Sequence, residues 1–268
     1  MRFIDLFSKP HLIAAHRGDR SRFPENTLAA LKGSIGRCDF VEMDIRLTKD
    51  KIPVILHDAT LKRTSNVKAI EAFKNRAPWR VEDFTLHELK RLDFGSWFYE
   101  TDPFGTLRSG EAELPPEDER FQKIPTLKEV LEFSKKHAIF LNLEIKDLHR
   151  CIRDEALLGI IFEMIRKSRT SSIVMLSSFR RSYLPLCREF DPNIATALLA
   201  NRPLKNPLGI LERLRADALH LSRETVRRSL VRKVRQHGRF VNVFVVNDPK
   251  ERKRLFEWGV NGVFTDFL

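Results

Sequence analysis

Three observations in the sequence predict a (β/α)₈ barrel, an α/β fold of the TIM type, with a small insertion after the second strand. Eight short apolar runs that read as strands alternate with amphipathic segments that read as helices. Polar and charged residues collect where several of these runs end, which is where such a barrel carries its site. No Gly-x-Gly-x-x-Gly follows any strand, so a doubly wound nucleotide-binding sheet ranks second. With 268 residues, 42% of them hydrophobic, the chain is long and apolar enough for one large α/β domain.

Residues 1–10 form a short amphipathic piece, expected to cover the gap left where no helix follows the eighth strand. LIAA (12–15) is a short buried-type strand that ends in His16-Arg17-Gly18. Pro24 stands at a helix start, Leu28, Leu31 and Ile35 recur at helical spacing, and Gly36 ends the helix. A strand over 40–48, a turn at Lys49-Asp50-Lys51 and a second strand over 53–57 follow. The stretch Ala59–Ala138 is far longer than a βα connection needs and is rich in turn signals and aromatics. Most of it, about 59–123, reads as an inserted subdomain or lid within a single domain spanning 1–268. Inside it TLHE (85–88) carries a capping-box pattern, and TLKE (126–129) opens a helix that runs to about His137.

From there the alternation is regular. Strands are expected at 139–146, 172–178, 194–200, 218–222, 240–247 and 262–267, with helices near 153–168, 180–189, 223–237 and 248–257. In the stretch 223–239, Val226, Leu230 and Val234 make an apolar stripe with Arg and Lys elsewhere. It reads as an outer helix lying on the sheet; weak contact with an anionic membrane surface is the sharper alternative.

The net charge of +12 favours anionic partners such as phosphate esters, acidic lipid surfaces or nucleic acid. No zinc-finger, RNP or KH signature is present, so no nucleic-acid partner is expected. No apolar run is long enough for a transmembrane helix, and the first residues do not have signal-peptide character. Cys38, Cys151 and Cys187 are scattered, which points to a reducing compartment and a cytoplasmic location.

The chemistry centres on FVEMDIRLTKDKIPVILHD (40–58). Alternate side chains of a strand share a face, so Glu42 and Asp44 lie together, opposite Val41, Met43 and Ile45. Two adjacent carboxylates repel unless a cation sits between them, and oxygen donors of this kind suit Mg²⁺ or Ca²⁺. His57 ends the next strand, His16-Arg17 ends the first, and Glu144 and Lys146 share a face of the third. Each feature has a bland reading by itself: His16 as a core histidine, His57 as a loop residue, Glu42 and Asp44 as a surface strand. Three strand ends charged together are harder to explain structurally, because buried charges are costly unless paired or metal-bound. Asp58 and Asp266 read as strand-end caps or supports of the site, and Asn247 as structural or pocket-lining.

The motifs HRG (16–18), PENT (24–27), E-x-D (42–44), T-x-D-x-x-P-V (48–54), HD (57–58), IPTL-x-EVL (124–131), E-x-K (144–146) and FTD (264–266) resemble the glycerophosphodiester phosphodiesterases in order and spacing. The resemblance covers nearly the whole chain and implies a (β/α)₈ barrel with an insertion after the HD motif. It implies Glu42, Asp44 and Glu144 as ligands of one divalent metal ion, Mg²⁺ or Ca²⁺, His16 and His57 as general acid and base, and Arg17 and Lys146 as phosphate-binding residues. The chain departs from the family at Phe244, where Trp is frequent, and at Leu268, where Pro often follows TDF. The implied activity is hydrolysis of a small-molecule glycerophosphodiester to sn-glycerol 3-phosphate and an alcohol. A lysophospholipase D-type or phosphoinositide reaction on the same barrel is the alternative, and a basic nucleic-acid-binding protein ranks last.

Overall fold

The computed structural model describes residues 1–268. Nine strands follow in chain order: β1 (Leu12–His16), β2 (Phe40–Leu47), β3 (Pro53–Ile55), β4 (Leu141–Ile145), β5 (Val174–Ser178), β6 (Ala195–Ala200), β7 (Ala218–Ser222), β8 (Phe240–Phe244) and β9 (Gly262–Thr265). All but β3 are parallel and close into a barrel, because β1 pairs with both β2 and β9. β3 pairs antiparallel with the far end of β2. The eight-stranded barrel is therefore the fold the sequence predicts.

Strand alternation divides the core into two layers. Val41, Met43 and Ile45 of β2 face outward and pack with Leu127, Val130 and Leu131 of the helix Leu127–Lys136 and Leu157, Leu158 and Ile161 of the helix Asp154–Ser168. A buried aliphatic side chain of this kind contributes roughly 1.5–3 kcal/mol. The inward residues Ala14, Phe40, Met175, Ala197, Ala218 and Phe264 fill the barrel's lower half. Gly262 stands where there is no room for a side chain: a Cβ there would come within 2.9 Å of Asn242 Oδ1.

The helices in chain order are α1 (Leu28–Gly33), four short ones, α2 (Leu86–Leu89), α3 (Ser96–Thr101), α4 (Thr106–Ser109) and α5 (Glu117–Arg120), and then α6 (Leu127–Lys136), α7 (Asp154–Ser168), α8 (Tyr183–Phe190), α9 (Pro207–Arg213), α10 (Arg228–Gln236) and α11 (Pro249–Glu257). Both capping boxes read from the sequence are formed: Thr85 with Glu88, and Thr126 with Glu129. Between β3 and α6 the chain has short helical turns and an apolar cluster that includes Leu61, Phe73, Val81, Phe84 and Leu92.

Two local readings change. Phe3–Ser8 is a 3₁₀ turn whose Phe3, Leu6 and Phe7 plug the bottom of the barrel interior; the segment does not cover a gap between outer helices. α10 starts at Arg228, after a turn in which the backbone of Ser222 accepts from Thr225 and Val226 N–H. Its buried residues are Val231 and Val234, so Val226 belongs to the turn and Leu230 sits at the edge of the apolar face.

Candidate active site

At the upper end of the barrel the inward positions turn polar. Register places His16 beside Glu42, and Asp44 beside Glu144. Glu42, Asp44 and Glu144 are all buried, and each offers a carboxylate oxygen within 4.8 Å of the others. Lys146 reaches back over them, its Nζ donating to Asp44 Oδ1 at 2.7 Å and to Glu144 Oε1 at 2.5 Å. Arg17 donates its backbone N–H to Glu42 Oε2 at 2.9 Å, and its Nε lies 3.6 Å from Asp44 Oδ2. Asn26 grips Asp44 twice: Nδ2 donates to Oδ2 at 2.8 Å, and Oδ1 accepts the Asp44 backbone N–H at 3.2 Å.

Gly18 makes this loop geometry feasible. Its φ of +81° is a conformation that favours glycine, and a Cβ there would sit 2.7 Å from Ala30 Cβ. The loop can therefore press onto α1 and return Asn26 to the site.

The electrostatics of the three carboxylates differ. Burial, together with the charges of Asp44 and Glu144, pushes Glu42 well above the ordinary carboxylate range. Burial also raises Glu144, with Lys146 opposing and Asp44 reinforcing the shift. Burial acts upward on Asp44 too, but Lys146 and Arg17 outweigh it and hold Asp44 low. Glu42 Oε1 is buried without a hydrogen-bond partner. A strained set of three oxygen donors, one of them orphaned, is chemically suited to a hard divalent cation. Lys146 is the positive charge that now stands among them.

Both histidines are held through Nδ1. His16 Nδ1 lies 2.7 Å from Asp266 Oδ1, and Asp266 in turn accepts from Asn247 Nδ2 at 2.8 Å. His57 Nδ1 lies 2.7 Å from Asp58 Oδ1. Burial works against the charge on Asp266, but the His16 hydrogen bond brings its pKa down to about 2. Asp58 is lowered in the same way by His57 and Arg63. Ionised carboxylates only accept, so each imidazole donates Nδ1–H to its aspartate and leaves Nε2 on the far side of the ring. Desolvation lowers His16 to about 4, which keeps it neutral at physiological pH.

All seven residues singled out from the sequence, His16, Arg17, Glu42, Asp44, His57, Glu144 and Lys146, fall at this end of the barrel. The pocket lined by His16, Glu42 and Glu144 is completed by Asn142 and by the apolar side chains of Phe179, Leu199, Phe244 and Phe264. The model of the glycerophosphoryl diester phosphodiesterase family matches residues 16–268. The chain belongs to the glycerophosphoryl diester phosphodiesterase family.

Relatives within that family match nearly the whole length of this chain. A glycerophosphodiester phosphodiesterase of Bacillus altitudinis is 30% identical over 259 residues, which is 95% of this chain and 94% of that protein. A mouse glycerophosphoinositol inositolphosphodiesterase is 31% identical over 269 residues, 99% of this chain and 48% of that protein. The structure of an Oleispira antarctica phosphodiesterase in complex with the product sn-glycerol-3-phosphate superposes with a TM-score of 0.79 at 28% identity. That match covers 98% of this chain and 95% of the other.

In this family member Asp58 and Asp266, read from the sequence as strand-end caps or supports of the site, and Asn247, read as structural or pocket-lining, take defined places, as do Asn26 and Glu25, to which sequence reasoning gave no role. Asp58 and Asp266 are the Nδ1 partners of the histidines. Asn247 fixes Asp266, and Asn26 fixes Asp44. The PENT motif held the signal for Asn26 and Glu25, although no spacing rule links it to β2.

Proposed function

We propose that the chain hydrolyses glycerophosphodiesters to sn-glycerol 3-phosphate and an alcohol, using one divalent cation, Mg²⁺ or Ca²⁺, held by Glu42, Asp44 and Glu144. The observation that carries this reading is the convergence of three buried carboxylates, with oxygens within 4.8 Å, beside two histidines each held through Nδ1 by an aspartate. When bound, the cation supplies positive charge for a phosphate oxygen and lowers the pKa of an attacking hydroxyl.

The chain's own residues do the rest. Arg17 and Lys146 provide donors to the phosphate, and Arg17 does so as a fork matched to its oxygens. One imidazole Nε2 takes the proton from the attacker, either water or the glycerol 2-hydroxyl, as the attacker's oxygen bonds to phosphorus. The bond from phosphorus to the head-group oxygen breaks, and the second imidazole, in its protonated form, gives that oxygen a proton. If the 2-hydroxyl attacks, water opens the resulting cyclic phosphate by the same exchange in reverse. The aspartates hold both rings in the tautomer this requires.

The decisive experiment is release of sn-glycerol 3-phosphate from glycerophosphocholine, with EDTA and then with Mg²⁺ or Ca²⁺ restored. Chelator-sensitive release supports the reading, and no release with either ion refutes it for this substrate. A lysophospholipase D-type reaction is the second reading, supported by the apolar wall of Phe179, Leu199 and Phe244 and by the partial exposure of Phe179. Lysophosphatidylcholine in the same assay separates the two.

No helix is long and apolar enough to cross a membrane. The exposed Arg228, Arg232, Lys233 and Arg235 of α10 support weak contact with anionic lipid. Three free cysteines suit a reducing compartment, and on that chemistry we place the enzyme in the cytoplasm.

A further inference from the structure

Glu25 lies in the loop before α1, with its side chain only 2% exposed and surrounded by three guanidinium groups. Arg17 Nη1 donates to Oε1 at 2.8 Å, and Arg20 Nη2 donates to Oε2 at 2.6 Å. Arg63 donates to both oxygens, Nη2 to Oε1 at 2.6 Å and Nη1 to Oε2 at 3.0 Å. Burial opposes the charge of Glu25, yet these arginines hold its pKa down at about 2.

Two of the three arginines continue to the histidine partners. Arg63 Nε donates to Asp58 Oδ2 at 2.7 Å, and its Nη2 lies 3.1 Å from Asp58 Oδ1. Arg20 Nη1 lies 3.4 Å from Asp266 Oδ1. That same nitrogen is 3.3 Å from His16 Nδ1. Both groups are donors when His16 donates its Nδ1–H to Asp266, so the pair is a close approach and the carboxylate is the partner of each. An unbroken path therefore runs from His16 through Asp266, Arg20, Glu25, Arg63 and Asp58 to His57. Each arginine also rests on an aromatic ring: Arg20 on Phe104 at 5.2 Å and Arg63 on Trp97 at 5.8 Å.

We propose that Glu25 is a positioning residue that anchors both histidine–aspartate pairs at once, acting through Arg20 and Arg63. This rests on the histidines moving protons as proposed above. Neither arginine has another buried carboxylate to brace it from behind, since Asp58 and Asp266 lie on the site side of each. Without Glu25 two neighbouring guanidinium groups repel, and each aspartate loses the support that orients its imidazole. Displacements near 1 Å at reacting groups cost about 10²-fold in rate. Loss of a group that orients a site residue from behind typically costs about 10–100-fold.

The test combines kinetics on glycerophosphocholine with ¹⁵N-resolved imidazole spectra, the His16 and His57 signals being assigned by their loss in His16→Gln and His57→Gln. Glu25→Gln should lower kcat by about 10–100-fold and shift the Nδ1–H signals of both rings. Arg63→Gln should shift His57 and lower kcat while KM stays within about threefold; Arg20→Gln should do the same for His16. Adding either arginine change to Glu25→Gln should cost less than it does in the wild type. Fully additive losses overturn the proposal. So does a KM rise at unchanged kcat, which would make the arginines direct phosphate ligands. Should Glu25→Gln not fold, Arg63→Gln decides, because the Arg63 side chain is 41% exposed; an unmoved His57 signal then overturns the anchoring. Should the wild type turn over no diester, the proposed reaction fails while the spectra still judge the anchoring by themselves.

Discussion

His220 gives the sharpest physical prediction. It is fully buried inside the barrel on β7, where Asn242 Nδ2 lies 3.0 Å from its Nε2 and the Phe264 ring lies 5.0 Å away. Burial alone lowers its pKa from 6.5 to about 3, with no charged neighbour contributing. The folded state thus prefers the neutral ring, whereas the unfolded chain takes up a proton near pH 6.5. Stability from this group is complete above pH 6.5 and is lost as pH falls from there toward 3. At pH 5 the unfolded ring is mostly protonated and the folded ring is not, which amounts to about 2 kcal/mol of lost stability. For a chain of this size that corresponds to roughly 5 °C in Tm. Urea unfolding of the wild type and of His220→Gln at pH 7.5 and pH 5.0 isolates the effect. The variant should lose about 2 kcal/mol less between the two pH values, whatever its stability at pH 7.5. His16 titrates in both proteins and cancels. Equal losses in both would show that His220 takes up its proton in the folded barrel and would refute the argument.

The remaining predictions concern the site and the core. His16→Ala and His57→Ala should each reduce glycerophosphocholine turnover by about 10²–10⁴-fold while far-UV circular dichroism stays unchanged. If the carboxylate cluster holds the cation as proposed, addition of Mg²⁺ or Ca²⁺ should raise the Tm of the wild type but not of Asp44→Asn in scanning calorimetry, because an ion bound by the folded state alone stabilises it. Lys146→Gln should bind that ion more tightly by titration calorimetry, because a competing positive charge leaves Asp44 and Glu144, while kcat falls. Gly262→Ala should cost about 1–3 kcal/mol in urea unfolding, since its Cβ meets Asn242 Oδ1 at 2.9 Å and Leu12 Cβ at 3.2 Å.

What could be read from the sequence follows the reach of local rules. The two-residue period of a strand places Phe40, Glu42 and Asp44 on one face, and the barrel makes that face its interior. Thr-x-x-Glu spacing locates the starts of α2 and α6. The same rules mislead where a turn imitates an element. Val226 continues the spacing of Leu230 and Val234, but it is buried by the turn after β7, and Arg227 enters α10 with an extended backbone. Phe3, Leu6 and Phe7 look like one face of a surface helix, and nothing local shows that a barrel mouth will receive them.

Asp58 and Asp266 could be read as supports of the site, but which histidine each holds, and what orients it, lies beyond that reach for a geometric reason. Asp266 meets His16 only because β9 returns to pair with β1, bringing together residues 250 positions apart. Asp58 adjoins His57 in sequence, yet its orientation depends on Arg63. Arg63 is oriented in turn by Glu25, from the loop before α1, and backed by Trp97. The oxygen donors of the site thus come from strand alternation, which a sequence displays. The aim of its imidazoles comes from barrel closure and from the packing of the segment after β3 over the loop before α1. A change in that segment, such as Trp97→Ala, should therefore act on kcat through His57 while the carboxylate cluster keeps its affinity for the cation.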